Sequence, residues 1–127
     1  QASELKTLVD SKATNDARIT ALRSVGERWS RSIATAYHQV LFDTQAPLGL
    51  KERVVYLLKH KPSEENIRAL LKALKNEGQR EVQTAITKAL RVRYPKGPEI
   101  HQEDDFEEVQ GKIDKWKNWE RRQFGRK

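Results

Sequence analysis

The chain lacks cysteine and methionine altogether, and it holds only six glycines and four prolines among its 127 residues. Without cysteine there is no disulfide framework, no thiolate zinc site and no thiol nucleophile. Without a methionine at position 1, where Gln1 stands, a longer precursor is expected, and an organellar presequence is one segment that processing removes. The first residues carry Glu4 and Asp10, so they are not themselves an acid-poor transit peptide. Residues that favour strands never alternate over a useful length, which argues against a sheet. No apolar run approaches the roughly 18 residues of a spanning helix, so the chain is not expected to cross a membrane.

Catalytic patterns are missing as well. No glycine loop of the phosphate-cradling kind occurs, and no serine sits in a glycine-flanked nucleophile turn. His38, His60 and His101 fall on different segments with no metal-ligand spacing. One set, the hard carboxylates Asp105 and Glu108 with the imidazole of His101 and with Asp104 beside them, has the chemistry for a divalent cation. Acids at a helix start already have a sufficient reason to be there, because the helix dipole favours them. No catalytic residue, metal or cofactor is therefore expected, and the chain is read as a non-enzyme.

What is present is helix-forming, amphipathic and basic. The net charge is +7, and charged residues (34%) nearly equal apolar ones (36%), a composition suited to exposed helices over a thin core. Residues 3–42 read as one long helix, or two with a break near Ser11 to Asp16. Leu5, Ile19, Ile33 and Val40 share one heptad position, and Leu8, Leu22, Trp29 and Ala36 share its partner position. Lys12, Asn15 and Gly26 interrupt that seam, so Ile19 to Leu41 is expected to pack on the domain while the first turns lie against another chain or fray.

Shorter helices follow. Residues 50–60 form one that stops before Pro62. Residues 63–77 form the next, capped by Ser63 and closed by Gly78 as a natural C′ residue. Residues 79–93 form the fourth, ending at Tyr94-Pro95. Ala69-Leu70-Leu71-Lys72-Ala73-Leu74-Lys75 echoes Ala85-Ile86-Thr87-Lys88-Ala89-Leu90-Arg91, as two helices sharing one apolar contact do. Residues 95–102 read as an irregular linker, and 103–127 as a C-terminal helix with Phe106, Val109, Ile113 and Trp116 at helical spacing. Because the linker is poor in apolar residues, that helix is expected to stand apart from the helical domain of residues 1–94. Gly111 in its middle suggests a contact close to the backbone. The fold expected is all-α, a small bundle or hairpin stack of about five helices with a long first helix and an outlying last one.

The terminal helix also carries the most specific charge pattern. Residues 99–108 hold six acids and no Lys or Arg, whereas residues 112–127 hold seven bases against Asp114 and Glu120. Acids first and bases last is the order the macrodipole prefers. Trp116, Trp119 and Phe124 lie among Lys115, Lys117, Arg121 and Arg122, and this set is the candidate partner-binding end. Tryptophan with arginine suits a protein interface, stacking on unpaired bases, or a peripheral seat on anionic lipid. A second basic face, Lys51, Arg53, Lys59, Lys61, Lys72, Lys75, Lys88, Arg91 and Arg93, is the alternative surface for nucleic acid.

Two functions are expected from this. The first is a non-catalytic helical accessory or structural subunit, docking with other protein subunits of a larger multiprotein assembly. A mitochondrial energy-converting complex, on its matrix side, is one setting. The alternative is a basic helical RNA- or DNA-binding protein, for example a ribosome-associated one.

Overall fold

The structure, a computed structural model, describes residues 2–125. Gln1, Arg126 and Lys127 lie outside the described residues, so the last two bases of the terminal block carry no structural account. Among the described residues there are seven α-helices and no strand: α1 (Ala2–Val9), α2 (Asn15–Val25), α3 (Arg31–Phe42), α4 (Leu48–Lys59), α5 (Glu64–Asn76), α6 (Arg80–Arg93) and α7 (Phe106–Phe124). The chain divides into two compact units, residues 1–54 and 55–127, with the change falling inside α4. The division expected from sequence, 1–94 and 103–127, puts the boundary elsewhere.

In the first unit the expected long helix is three helices, and local chemistry explains each break. At Asp10 the chain turns: its carboxylate accepts from the Lys12 N–H at 2.9 Å, and its carbonyl accepts from Ala13 at 3.0 Å. Thr14 then caps α2, its hydroxyl accepting from the Ala17 N–H at 3.1 Å. The second break is Gly26, whose φ of 62° suits a residue without a Cβ. Arg28 donates to the carbonyls of Ser24 and Val25, satisfying the open end of α2. Ser30 caps α3 by accepting from Ile33. The residues that interrupted the heptad seam therefore lie in the turn between helices (Lys12) or at helix ends (Asn15 and Gly26).

The first helix packs within its own unit. Helix α1 packs on α2 and α3, and Leu8 is completely buried. Arg18, 2% exposed, binds this corner together: its Nε donates to the Leu8 carbonyl at 2.9 Å and its Nη2 reaches Asp43 at 3.3 Å. A buried guanidinium is tolerated there because its donors meet a helix-end carbonyl and a carboxylate. Trp29, placed on the seam by the heptad reading, is 36% exposed between α2 and α3, its ring edge-on to Tyr37.

In the second unit α5 packs on α6 and on α7. Ser63 caps α5, accepting from the Asn66 N–H at 3.2 Å. The echoed segments bury the same positions, Leu70, Ala73 and Leu74 on α5 and Ile86, Ala89 and Leu90 on α6. Gly78 follows the end of α5 without adopting a left-handed conformation. Instead, Glu77 closes the turn, its carboxylate accepting from the Gln79 N–H and its carbonyl from the Gln83 side chain.

Helix α7 is no outlier. Val109, Ile113, Trp116 and Trp119 are buried along one side of it, which on α7 is the stripe of residues at i, i+4, i+7 and i+10. It starts with a full capping box between Asp105 and Glu108, at 2.8 Å in each direction. The preceding segment buries Ile100 completely and is otherwise held by polar side chains. Thr87 Oγ1 accepts from the Ile100 N–H at 2.9 Å, and Lys112 donates to the Glu99 carbonyl at 2.8 Å and to Asp104 at 2.6 Å. Arg91 donates twice to the Pro95 carbonyl, and Arg80 donates to carbonyls at His101, Gln102 and Asp104. A linker poor in apolar residues is thus anchored by hydrogen bonds, which composition does not reveal.

Candidate docking cleft

The site is assembled where α6 stops and α7 passes back over it. Tyr94 N–H still bonds to the Leu90 carbonyl, but Pro95 cannot continue the helix. The chain turns through Pro95 and Lys96, and the Gly97 N–H returns to the Tyr94 carbonyl at 3.0 Å, with proline at its favoured second place in a turn. Gly97 then lies directly beneath Trp116: a Cβ there would sit 2.2 Å from the indole ring. The Trp116 Nε1–H donates to the Pro98 carbonyl at 2.8 Å, so the buried indole has its one donor satisfied.

Around Trp116 the aromatic rings form one cluster. Tyr94 stacks on Trp119 at 5.4 Å and meets Trp116 edge-on at 6.0 Å. Trp116 and Trp119 touch edge-to-face at 5.5 Å, and Phe124 meets Trp119 at 5.8 Å. The guanidinium of Arg93 lies 5.9 Å from the Trp119 ring centre and that of Arg68 lies 5.2 Å from Phe124, cation–π distances in both cases. Trp116 is 1% and Trp119 4% exposed.

These rings floor an open cleft of about 180 Å³ whose walls are Tyr94, Lys96, Pro98, Lys115, Asn118 and Arg122. Lys115, Asn118 and Arg122 project from successive turns of one face of α7, and Lys96 comes from the turn after α6. No acid lines the cleft. Arg121 donates to Asn118 Oδ1, which leaves the Asn118 amide nitrogen as a donor at the cleft wall.

The charges nearby are arranged differently. Lys75 pairs with Glu120 at 2.9 Å, Arg91 with Glu99 at 3.2 Å, Lys112 with Asp104 at 2.6 Å and Arg68 with Glu64 at 3.1 Å. Lys88 and His101 stand 3.9 Å from Glu99. Among the described residues, Lys96, Lys115 and Arg122 make no ion pair within the fold. Asp104, held by the His101 N–H and by Lys112, has its carboxyl pulled below the usual carboxylate range.

The residues expected from sequence therefore separate. Trp116 and Trp119 belong to the unit's own core, while Lys115, Arg121 and Arg122 are exposed and Lys117 and Phe124 half-buried. Of the alternative basic face, Lys51 is buried at 2% exposure and cannot meet a phosphate backbone as it stands. Lys51 and Arg53 fall in the first unit, the others in the second. Arg53, Lys61 and Lys72 are exposed and Lys59 half-buried. Lys75, Lys88 and Arg91 face Glu120 and Glu99, and Arg93 lies over Trp119. The acids considered as metal donors are engaged as caps and staples, Asp105 and Glu108 with each other and Asp104 with Lys112.

Sequence reasoning missed Tyr94, Lys96, Pro98 and Asn118. An aromatic residue at the end of a helix, followed by Pro-Lys-Gly-Pro, is a visible signal, but by itself it marks only a helix stop. No protein family, curated protein or solved structure matches the chain.

Proposed function

We propose that the chain is a non-catalytic helical docking module, which joins a larger assembly by presenting a preformed, positively charged cleft to another protein. The observation that carries this reading is the contrast between paired and unpaired cations. Lys75, Arg91 and Lys112 are compensated within the fold, whereas the cleft gathers Lys96, Lys115 and Arg122 on a rigid aromatic floor without an acid. Like charges held close together cost stability unless a partner compensates them. Tryptophan supports such a surface from beneath, by fixing the backbone that carries the cations. A nucleic-acid reading loses its strongest motive here, since base stacking needs an exposed ring face and neither indole offers one. A mitochondrial complex remains one place to look for the partner.

The test is lysine-directed cross-linking in material purified from the protein's source, set beside ultraviolet cross-linking to nucleic acid. Recurrent links from Lys96 and Lys115 to one neighbouring protein are expected. Cross-links to RNA or DNA through the second unit, with no recurrent protein neighbour, would refute the proposal.

A further inference from the structure

We infer that the cleft takes an extended acidic peptide segment, with carboxylate or phosphate-bearing side chains seated between Lys96 and the Lys115–Arg122 row. The inference rests on the docking reading above and names the chemistry of the partner.

Shape and charge both lead there. Lys115 and Arg122 are seven residues apart on one helix, about 10 Å along the axis at the α-helical rise. An extended segment advances about 3.3 Å per residue, so acids two to four residues apart span roughly 7–13 Å and bring one anion to each cation. Lys96 closes the opposite wall, and the Asn118 amide lies between the two α7 cations as a neutral donor. Arginine grips a carboxylate or phosphate through two parallel bonds, and lysine meets either as a point charge. The floor does not yield: Trp119 has Tyr94 stacked on it and Arg93 over its ring, and Trp116 is fixed by Gly97 below and the Pro98 carbonyl beside it. A cleft that is already formed loses little conformational freedom on binding.

A peptide fits this better than a nucleic acid strand for two reasons. Neither indole has a free face on which a base could stack. The cation row is also short, with Glu120 on α7 paired to Lys75 and Glu99 compensating Lys88 and Arg91 on α6, so a long phosphate backbone would leave the positive ground within a few units.

The experiment is fluorescence anisotropy on the whole chain with three labelled probes of equal length: a glycine-glutamate alternating peptide, the same peptide with phosphoserine for glutamate, and single-stranded RNA. Variants Lys115→Glu with Arg122→Glu, and Lys12→Glu with Arg23→Glu on the other unit, carry the same change of net charge. The peptides are expected to bind the wild type and to bind the cleft variant more weakly by at least about tenfold, since the charge reversal removes two exposed ion pairs and adds repulsion. The Lys12 and Arg23 variant should bind almost as the wild type does. The stronger of the two peptides reports whether carboxylate or phosphate is the preferred anion.

Equal losses in both variants would reduce the effect to net charge and overturn the inference. Absence of peptide binding would overturn it too, as would RNA binding more tightly than either peptide with the same dependence on Lys115 and Arg122. Circular dichroism of the cleft variant guards against unfolding, and Lys96→Gln, in an exposed turn, offers a milder change of the same wall. If the peptides fail while recurrent links from Lys96 and Lys115 to one protein persist, docking at the cleft stands and only the acidic-peptide chemistry falls.

Discussion

Two glycines on the second unit are expected to answer the same substitution with opposite signs. At Gly97 an added Cβ would strike the Trp116 ring, which is itself 1% exposed and hydrogen-bonded to the Pro98 carbonyl. Overpacking of a rigid site costs about 1–3 kcal/mol, so Gly97→Ala should lower the unfolding free energy by that order. At Gly111 the same methyl meets nothing within 4 Å, contrary to the close contact that its position in mid-helix suggested. There Gly111→Ala should raise stability by about 0.5–1 kcal/mol, the helix-propensity difference. Urea unfolding of both variants checks this, and a Gly97→Ala protein as stable as wild type would mean that Trp116 does not rest on that turn. The sequence shows two glycines near one helix. Only the packing distinguishes the one beneath an indole from the one facing solvent.

At the scale of the element, α7 is held to its unit by polar contacts of its first two turns as well as by its apolar stripe. Lys112 reaches back to Asp104 and to the Glu99 carbonyl, and the capping box closes the N-terminus. Asp104 is ionised more readily in the fold than in the unfolded chain, because the His101 N–H and the Lys112 ammonium both favour the carboxylate. The folded pKa lies below the unfolded one, so this contribution is fully present above the ordinary carboxylate range and is lost as the pH falls through and below it. Wild type should therefore exceed Asp104→Asn in stability at pH 6, and the gap should close below about pH 4, the unfolded aspartate value. A gap that does not change with pH would show that the charge of Asp104 has no part in holding α7.

These elements were legible in the sequence to different degrees, for physical reasons. Helices α4, α5 and α6 begin and end near their expected positions because Pro62, Ser63 and Pro95 are strong local signals, whereas α7 starts at Phe106, set by the Asp105 cap, rather than at 103. The all-α class followed from the same periodicity. The first forty residues misled, because the apolar spacing of Leu8, Leu22 and Ile33 continues through breaks that Asp10, Thr14, Gly26 and Ser30 make locally. Helices packed on one another repeat an apolar period as readily as one rod does. The candidate site was half legible: Lys115, Arg122 and the two tryptophans were visible as a set, but periodicity does not say that the indoles turn inward while the cations stay out. Lys51 was the opposite error, a charge placed on a surface that is 2% exposed.

For the molecule as a whole, the arrangement bears on when order is gained. An accessory piece whose ends stand apart would gain order only on assembly and would spend part of its binding free energy doing so. Here Leu8 on α1 and Trp116 and Trp119 on α7 are buried like Leu70 or Ile86, so both terminal helices bury an apolar side within their own units, although Phe106, expected on the same stripe, stays 73% exposed at the start of α7. The core is larger than the composition suggested, since Arg18, Thr87 and Gln83 are buried as hydrogen-bonding members of it. Binding should therefore act on a surface already formed, with small changes of backbone. In hydrogen exchange on the isolated chain, amides of α7 from Val109 to Trp119 should be protected within about tenfold of those in α5, because local opening must break the same packed stripe. If α7 exchanged as an open segment while α5 stayed protected, the helix would not be held as described, and the preformed cleft that depends on Trp116 would be lost with it.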